Sequence, residues 1–195
     1  MFKQGDLIFT QIGSASNAIS AVTEGYRGAR VNHVGVIVVN NRGTFVLEAF
    51  PPEVRVTSLS VFLRRSEFKF GKPRYILTRL HRQFRSLIPN AIQYGLEQRN
   101  RPYDQLYLTE TSALYCSELI VDMFRYANGG NEFFVEQPMS FHDPASGKIL
   151  PVWIEYYAKF GMNVPQGQPG SNPGSISKDE RLSIIEIQGP PSGYI

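Results

Sequence analysis

The sequence is poor in cysteine, in histidine and in long apolar runs, and each shortage excludes a class of protein. The single cysteine, Cys116, cannot form an internal disulfide, so the chain is not a disulfide-stabilised secreted domain. One cysteine and three scattered histidines lack the spacing of a metal-binding motif, and we predict no metal site and no cofactor. No apolar run approaches the ~20 residues that cross a bilayer, which predicts no transmembrane segment.

The chain also carries little net charge and no recognisable targeting segment. Its formal net charge is only +3, and we expect no nucleic-acid partner. We predict that the basic residues between 72 and 85 are solvent-exposed surface residues, and the alternative is that they form an anion-binding patch. The N-terminal MFKQGDLIFTQIG leads directly into a predicted strand and lacks the apolar core and cleavage site of a signal peptide. These features favour a cytoplasmic protein.

What the chain does contain is enough apolar residues for one well-packed domain. Of its 195 residues, 42% are hydrophobic and 12% are aromatic, which is typical of a folded globular protein. From Pro165 onward the composition shifts to Pro, Gly and Ser, as in a linker or tail. We therefore predict one folded domain over residues 1–164 and a Pro/Gly/Ser-rich C-terminal tail over 165–195, in which LSIIEIQ at 182–188 is a candidate late strand.

Predicted strands occupy the first part of the chain and predicted helices the second. VNHVGVIVV at 31–39 and TFVLEAF at 44–50 read as neighbouring strands joined by the turn NNRG. LYCSELIVDMFRYANGG at 114–130 has an apolar stripe at helical spacing and ends on two glycines. Strands first and helices later favour an α+β fold, with helices packed against an antiparallel sheet.

The lone cysteine has two interpretations. Cys116 is in the first turn of the predicted helix, where free backbone N–H groups and the helix dipole favour a thiolate and can bind an oxyanion. It also lies three and four residues before Leu119 and Ile120, on the apolar stripe, as a buried structural cysteine does. The spacing alone leaves both interpretations open.

A nucleophilic cysteine needs a base, and His33 is the candidate because it interrupts a strand made of valines. His81 and His142 read as surface residues. Glu48 lies on an apolar strand face, where an acid must be paired or protonated. A two- or four-residue loop between the strands puts Glu48 diagonal to His33 on one face, whereas a three-residue loop puts it on the other. In the first register, Cys116, His33 and Glu48 form a candidate triad.

Several stretches, in their order along the chain, resemble one known family. GDLIF, NHVGVIV, VLEA, RPYDQLY and LYCSELIVDMF are similar to the YiiX/YebB-like group of circularly permuted, NlpC-type papain-like proteins. In that group the histidine-bearing strand comes first and the cysteine-bearing helix last, the reverse of ordinary papain-like enzymes. The resemblance implies the permuted fold, with Cys116 as nucleophile, His33 as base and Glu48 as the third polar member.

Three residues near the cysteine are candidate substrate-binding residues. Tyr115 either walls the pocket or packs as an ordinary aromatic residue. Ser117 either helps to bind the oxyanion or caps the helix, and the sequence favours a solvent-facing cap. Tyr103 and Asp104 match the family's loop before the cysteine, and we expect Asp104 to brace that loop.

The resemblance implies a thiol hydrolase or transferase that acts on an amide or an ester. Our leading hypothesis is a cysteine-dependent amidase or peptidase that forms an acyl-thioester with a small peptide or cell-wall fragment. One alternative is a lipid acyltransferase or esterase with the same triad, in which aromatic segments near 60–70 or 133–141 line an apolar groove. Another is a non-catalytic binding module. The sequence does not indicate the oligomeric state.

Overall fold

A six-stranded antiparallel sheet forms the centre of the molecule. The computed structural model describes residues 1–14, 18–67, 71–109, 112–143 and 146–195. The strands of the sheet are β1 (Leu7–Thr10), β2 (His33–Asn40), β3 (Gly43–Phe50), β4 (Glu53–Ser58), β5 (Tyr75–Leu80) and β8 (Leu182–Gln188). Their order across the sheet is β4-β3-β2-β1-β5-β8. A separate pair consists of β6 (Gln137–Pro138) and β7 (Pro169–Gly170).

The helices follow the sequence pattern closely where their signals are local. They are α1 (Ala18–Val22), α2 (Leu59–Arg64), α3 (Ile88–Glu97), α4 (Cys116–Ala127), α5 (Pro151–Ala158) and α6 (Pro173–Ser177). Gly129 and Gly130 adopt positive φ just after α4, as helix-ending glycines do. No described helix is both long and apolar enough to cross a membrane. Residues 68–70, at the end of the predicted aromatic segment 60–70, lie outside the described residues.

Both faces of the sheet are covered, and alternate residues along each strand supply the two cores. The larger core lies between the sheet and helices α3 and α4, and it includes Leu7 and Phe9. The opposite face buries Ile8 and Ile37 with Phe62 of α2. This alternation follows from the period-two geometry of a strand. The prediction of an α+β fold with helices packed against an antiparallel sheet is confirmed.

The hairpin of β2 and β3 determines whether the candidate triad is geometrically possible. Val36 pairs with Leu47, and the pairing continues to the ends of the two strands nearest the turn. The loop therefore contains only residues 41–42, which is one of the two-residue or four-residue cases considered for the sequence. In this register Glu48 lies on the same face as His33.

The segment predicted as a tail, residues 165–195, adds a strand to the sheet and residues to the core. β8 pairs with β5, so the candidate late strand is observed. Ile176 of α6 belongs to the larger core, and the backbone N–H of Arg30 donates a hydrogen bond to the Ser192 carbonyl at 2.8 Å. The boundary at residue 164 stays a prediction about domain organisation, but the chain beyond it is packed against the rest.

Candidate active site

Cys116 lies at the N-terminus of α4, where the sequence predicts it. Its side chain is 5% exposed and belongs to the larger core, yet it also lines a cavity with a volume of about 220 Å³. The two interpretations of this cysteine therefore do not exclude each other. α4 begins here because Tyr115 is extended, and its backbone N–H donates to the Glu118 carboxylate at 3.2 Å.

The first turn of α4 provides hydrogen-bond donors beside the thiol. Backbone N–H groups in the first turn of an α-helix have no acceptor within the helix. In α4 these groups belong to Cys116 and the two residues that follow it, and hydrogen bonding along the helix begins with Leu119, which donates to the Tyr115 carbonyl at 3.0 Å. Such donors, together with the helix dipole, suit a thiolate or an oxyanion.

His33, the first residue of β2, has its ring between an acid and the thiol. Its Nε2 lies 2.6 Å from Glu48 Oε2, and Cys116 is near enough to raise the pKa of the ring. Because Nε2 is taken by Glu48, Nδ1 is the ring nitrogen available to the thiol. The structure therefore brings together the three residues that the sequence proposed as a triad.

Glu48 is fully buried, and its other carboxylate oxygen is bound by two further residues. The Thr57 hydroxyl donates to Oε1 at 2.5 Å, and Arg65 Nη2 donates to the same oxygen at 2.5 Å. A buried carboxylate is tolerated when opposite charges and hydrogen bonds compensate for its lost hydration. Arg65 provides that charge, and the protonated form of His33 provides a second.

Two phenylalanines hold the His33 ring in place. The ring centroids of Phe50 and Phe62 lie 5.3 Å and 5.5 Å from the imidazole centroid. Phe50 also faces the Arg65 guanidinium, whose central carbon is 4.0 Å from the ring centroid. Ring packing and the hydrogen bond to Glu48 therefore fix the orientation of the same imidazole.

Charges around this pair shift the pKa of both members in opposite directions. Burial on its own lowers the pKa of His33, but hydrogen bonds and charge interactions with Cys116 and Glu48 outweigh it and raise the pKa to about 9. Burial on its own raises the pKa of Glu48, but its hydrogen bond to His33 and the charge of that ring lower the pKa to about 2. Arg65 and Thr57 act in the same direction on Glu48. Near neutral pH the pair is therefore an imidazolium and a carboxylate.

The cavity beside Cys116 is formed by residues from distant parts of the chain. The three predicted substrate-binding residues, Tyr103, Tyr115 and Ser117, all line it. The other described lining residues fall in a few short segments, namely 19–23, Asn32, Tyr107, 137–141, Trp153 and 170–173. Residues 137–141 belong to one of the two segments that the lipid hypothesis expects to line an apolar groove.

Ser117 is 1% exposed, so its interpretation as a solvent-facing cap is wrong. Its hydroxyl has no hydrogen-bond partner among the described residues. The apolar stripe of α4 indicates which face meets the sheet, but it does not reveal that residues 137–141 and 170–173 cover the other side of the helix N-terminus. Tyr115 is fixed as part of the cavity wall, since its hydroxyl accepts a hydrogen bond from the Ser171 N–H at 3.0 Å.

The loop before the cysteine is held by its own side chains. Asp104 accepts hydrogen bonds from the backbone N–H groups of Leu106 and Leu108, both at 2.7 Å, so it braces the loop as predicted. The rings of Tyr103 and Tyr107 meet edge to face, with 6.4 Å between their centroids. Burial raises the pKa of Tyr103 well above its usual value, so this hydroxyl stays protonated.

The sequence reasoning missed three residues of the site. Thr57 could have been found from the strand pattern. Arg55 pairs with Glu48 on the neighbouring strand, so Thr57, two residues further on, lies diagonally opposite Glu48 on the same face. Arg65 follows α2, and no local pattern indicates that this helix folds back over the hairpin. Trp153 lies in α5, far along the chain from Cys116, and nothing in its neighbourhood points to the cavity.

Two arginines of the basic segment between residues 72 and 85 bind different parts of the protein. Arg74 is buried and donates to the Gly13 carbonyl at 2.6 Å. Arg79 makes two hydrogen bonds to the Asp6 carboxylate, at 2.6 Å and 2.8 Å. The interpretation as solvated surface is therefore wrong for these two arginines, which serve the fold.

The sequence is similar to one family along almost its whole length. The family model described as a permuted papain-like amidase enzyme, YaeF/YiiX, C92 family, matches residues 1–186. The uncharacterized protein YiiX of Escherichia coli strain K12 is 26% identical over 193 residues, which cover 95% of this chain and 87% of that protein. The family match reaches into β8 and so includes most of the segment predicted as a tail.

A solved structure has the same fold. The crystal structure of metalloprotein yiiX from Escherichia coli O157:H7 matches with a TM-score of 0.76 and 23% sequence identity, covering 97% of this chain and 99% of the other. Together with the family model, this likeness confirms the predicted permuted papain-like fold. Its description as a metalloprotein concerns that protein. In the part of this chain that the structure describes, no group of three or more His, Cys, Asp or Glu side chains is arranged to hold a metal ion.

Proposed function

This chain belongs to the YaeF/YiiX family of permuted papain-like amidases, and we propose that it hydrolyses an amide bond through an acyl-thioester on Cys116. The observation that carries the proposal is the arrangement of three side chains beside a cavity: Cys116 lines it, His33 lies near the thiol, and Glu48 is 2.6 Å from the His33 ring. Each side chain has the chemistry that its position requires: a nucleophile, a base and an acid that orients the base.

In the first step, the Cys116 sulfur attacks the carbonyl carbon of the bound amide. His33 has taken the thiol proton and, with a pKa of about 9, keeps it near neutral pH. A C–S bond forms while the carbonyl π pair moves onto oxygen. The N–H groups in the first turn of α4 are the donors available to the resulting oxyanion.

In the second step, the oxyanion collapses and the C–N bond breaks. His33 gives its proton to the leaving amine, and the acyl group stays on Cys116 as a thioester. Water then attacks the thioester carbon while His33 takes a proton from it. Breakage of the C–S bond releases the carboxylic acid and restores the starting site.

Glu48 acts in this scheme as a positioning residue. Its hydrogen bond to Nε2 keeps Nδ1 of His33 directed to Cys116. Thr57 and Arg65 bind its second oxygen, and its pKa of about 2 keeps it ionised. It therefore stabilises the imidazolium during the part of the cycle in which His33 carries the proton.

The walls of the cavity favour one second candidate function, acyl transfer from a lipid or hydrolysis of its ester at the same thiol. Aromatic rings of Tyr107, Phe141 and Trp153 line the cavity. Rings of this kind suit an apolar acyl chain. The acyl-thioester is then the same, and an alcohol or water accepts the acyl group.

The first experiment is alkylation of Cys116 by iodoacetamide in the folded protein, followed by mass spectrometry. Since the chain has one cysteine, the site of reaction is unambiguous. At about pH 6 we expect His33→Ala to slow the reaction by about 10-fold or more, because the thiolate loses its imidazolium partner. His81→Ala, at an exposed histidine, should react like the wild type.

The result decides among the three hypotheses. If Cys116 reacts only after unfolding in urea, it is a core residue and the non-catalytic binding module is the better interpretation. If it reacts in the folded state through His33, hydrolysis rates for N-acyl amides and for acyl lipids, measured on the same preparation, separate an amidase from a lipid-directed enzyme.

A further inference from the structure

The cavity beside Cys116 has two properties that the catalytic steps do not use. Apart from the thiol, none of the described residues that line it carries a carboxyl, imidazole, amino or guanidinium group, and the tyrosines among them have raised pKa values and stay neutral. Two of those residues, Trp153 and Ser117, have buried polar atoms, Nε1 and Oγ, without a hydrogen-bond partner in the described part of the chain.

Trp153 is the more informative of the two. Its side chain is 3% exposed and is fixed by edge-to-face contacts with Phe141 and Tyr107, at 5.1 Å and 6.1 Å between ring centroids. An indole N–H can only donate, and a buried donor without an acceptor destabilises a fold. An N–H of this kind on a residue of the cavity wall is explained if a bound molecule supplies the acceptor.

We propose that the cavity is the acyl-binding subsite for an uncharged, largely apolar acyl group, and that Trp153 Nε1 donates a hydrogen bond to an oxygen of the bound substrate. The Ser117 hydroxyl is the second donor. This inference rests on the proposed function, since the carbonyl that it positions is the one that Cys116 attacks. The substrates are then N-acyl amides or acyl esters whose acyl part has no free carboxylate and no ammonium group.

The absence of charge from the described walls is the reason for this selectivity. A carboxylate or ammonium group that enters the cavity leaves its hydration behind, and the described walls other than Cys116 offer it no counter-ion. A neutral oxygen needs only a donor, and two residues of the wall, Trp153 and Ser117, carry buried donors without a partner in the described part of the chain. Cavity size agrees with a small apolar group, because an apolar cavity of about 150 Å³ holds benzene and this one has about 220 Å³.

The experiment uses Trp153 as its own reporter. It is the only tryptophan in the chain, so the indole N–H gives one cross-peak in a ¹H–¹⁵N correlation spectrum. Cys116→Ala is titrated with the neutral amide N-methylphenylacetamide, with the anion phenylacetate and with the cation benzylammonium. We expect the neutral amide to move the indole proton downfield in a saturable manner at millimolar concentration, and each ion to bind about 10-fold more weakly or worse.

Trp153→Phe tests whether the N–H contributes to affinity, because phenylalanine keeps an aromatic ring and removes the donor. In the Cys116→Ala background, calorimetry should give about 5- to 10-fold weaker binding of N-methylphenylacetamide, the effect of one hydrogen bond. Tyr156→Phe is the matched control on the same helix. It removes a hydrogen bond to the Gln105 carbonyl and no donor from the cavity, so affinity should not change.

The proposal is overturned if the indole resonance does not respond to the neutral amide, if phenylacetate binds equally well, or if Trp153→Phe binds as tightly as its parent. Titration of the wild-type protein in parallel covers the case in which Cys116→Ala does not fold. Alkylation of Cys116 is measured separately. An inert thiol therefore counts against the proposed catalysis, while the spectra still decide what the cavity binds.

Discussion

The two sides of Cys116 differ in charge and in hydrogen bonding. On one side, His33 and Glu48 are charged, and their side chains have partners before any substrate binds. On the other side, the described cavity walls are uncharged, and two buried polar atoms, on Trp153 and Ser117, have no partner. In the proposed mechanism, the groups that move protons are therefore fixed by the fold, whereas the groups that we propose to bind substrate acquire their partners from it.

Removal of the base is expected to have the largest effect on activity. His33→Ala leaves the Cys116 thiol without a proton acceptor, so kcat/KM for an amide substrate should fall by about 10³-fold. Thermal unfolding of the variant checks that the fold survives. His81→Ala, at an exposed histidine, should keep wild-type kinetics. Wild-type turnover in His33→Ala would contradict the triad.

Replacement of the buried carboxylate by an amide should have the next largest effect. Glu48→Gln keeps the size of the side chain and removes the charge, so the pKa of His33 should fall from about 9 toward its usual value of about 6.5. NMR titration of the imidazole measures this change. We expect kcat/KM to fall about 10²-fold or more, because the imidazolium is less stabilised. Glu67→Gln, at an exposed acid, should shift neither quantity.

A smaller effect is expected on stability, where two buried glutamates should change the free energy of unfolding with pH in opposite directions. Burial raises the pKa of Glu118 to about 8, whereas its counterpart Glu48 is held at about 2 by its hydrogen bond to His33 and by the charges beside it. The folded state therefore keeps a proton on Glu118 that the unfolded chain releases above about pH 4.3, so this residue lowers stability as pH rises from there to about 8. Glu48 acts in reverse, since its stabilisation is present above about pH 4.3 and is lost as pH falls toward 2.

Urea unfolding at several pH values measures this difference. In Glu118→Gln the free energy of unfolding should fall less between about pH 5 and 8 than in the wild type. The contribution of His33 has its own pH window. Its raised pKa stabilises the folded state fully below about pH 6.5 and the stabilisation is lost as pH rises through about 9. An unchanged slope in Glu118→Gln would show that its carboxyl is hydrated.

The hairpin that carries His33 and Glu48 was predictable because its information is local. Valine-rich strands and a turn sequence define the pair. Because side chains alternate between the two faces of a strand, Glu48 can lie only on the face of His33 or on the opposite face. The two-residue loop selects one of them. The position of Cys116 at a helix N-terminus was predictable for a similar reason, since the apolar stripe and the terminal glycines delimit α4.

The cavity was not predictable, because its walls meet only in the folded molecule. Residues 137–141, Trp153 and 170–173 have no sequence pattern that connects them with Cys116. Composition also gave an incomplete account of residues 165–195. Proline, glycine and serine are typical of a linker, but apolar residues in LSIIEIQ were sufficient for pairing with β5.

The order of these segments along the chain has a consequence for protein synthesis. The ribosome makes the hairpin with His33 first, the helix with Cys116 next, and residues 170–173 and β8 last. Folding of a domain can begin while the chain emerges, at about 5–20 residues per second. A nascent chain therefore contains Cys116 before the residues that complete the cavity beside it. The cavity can form only once translation has passed residues 170–173.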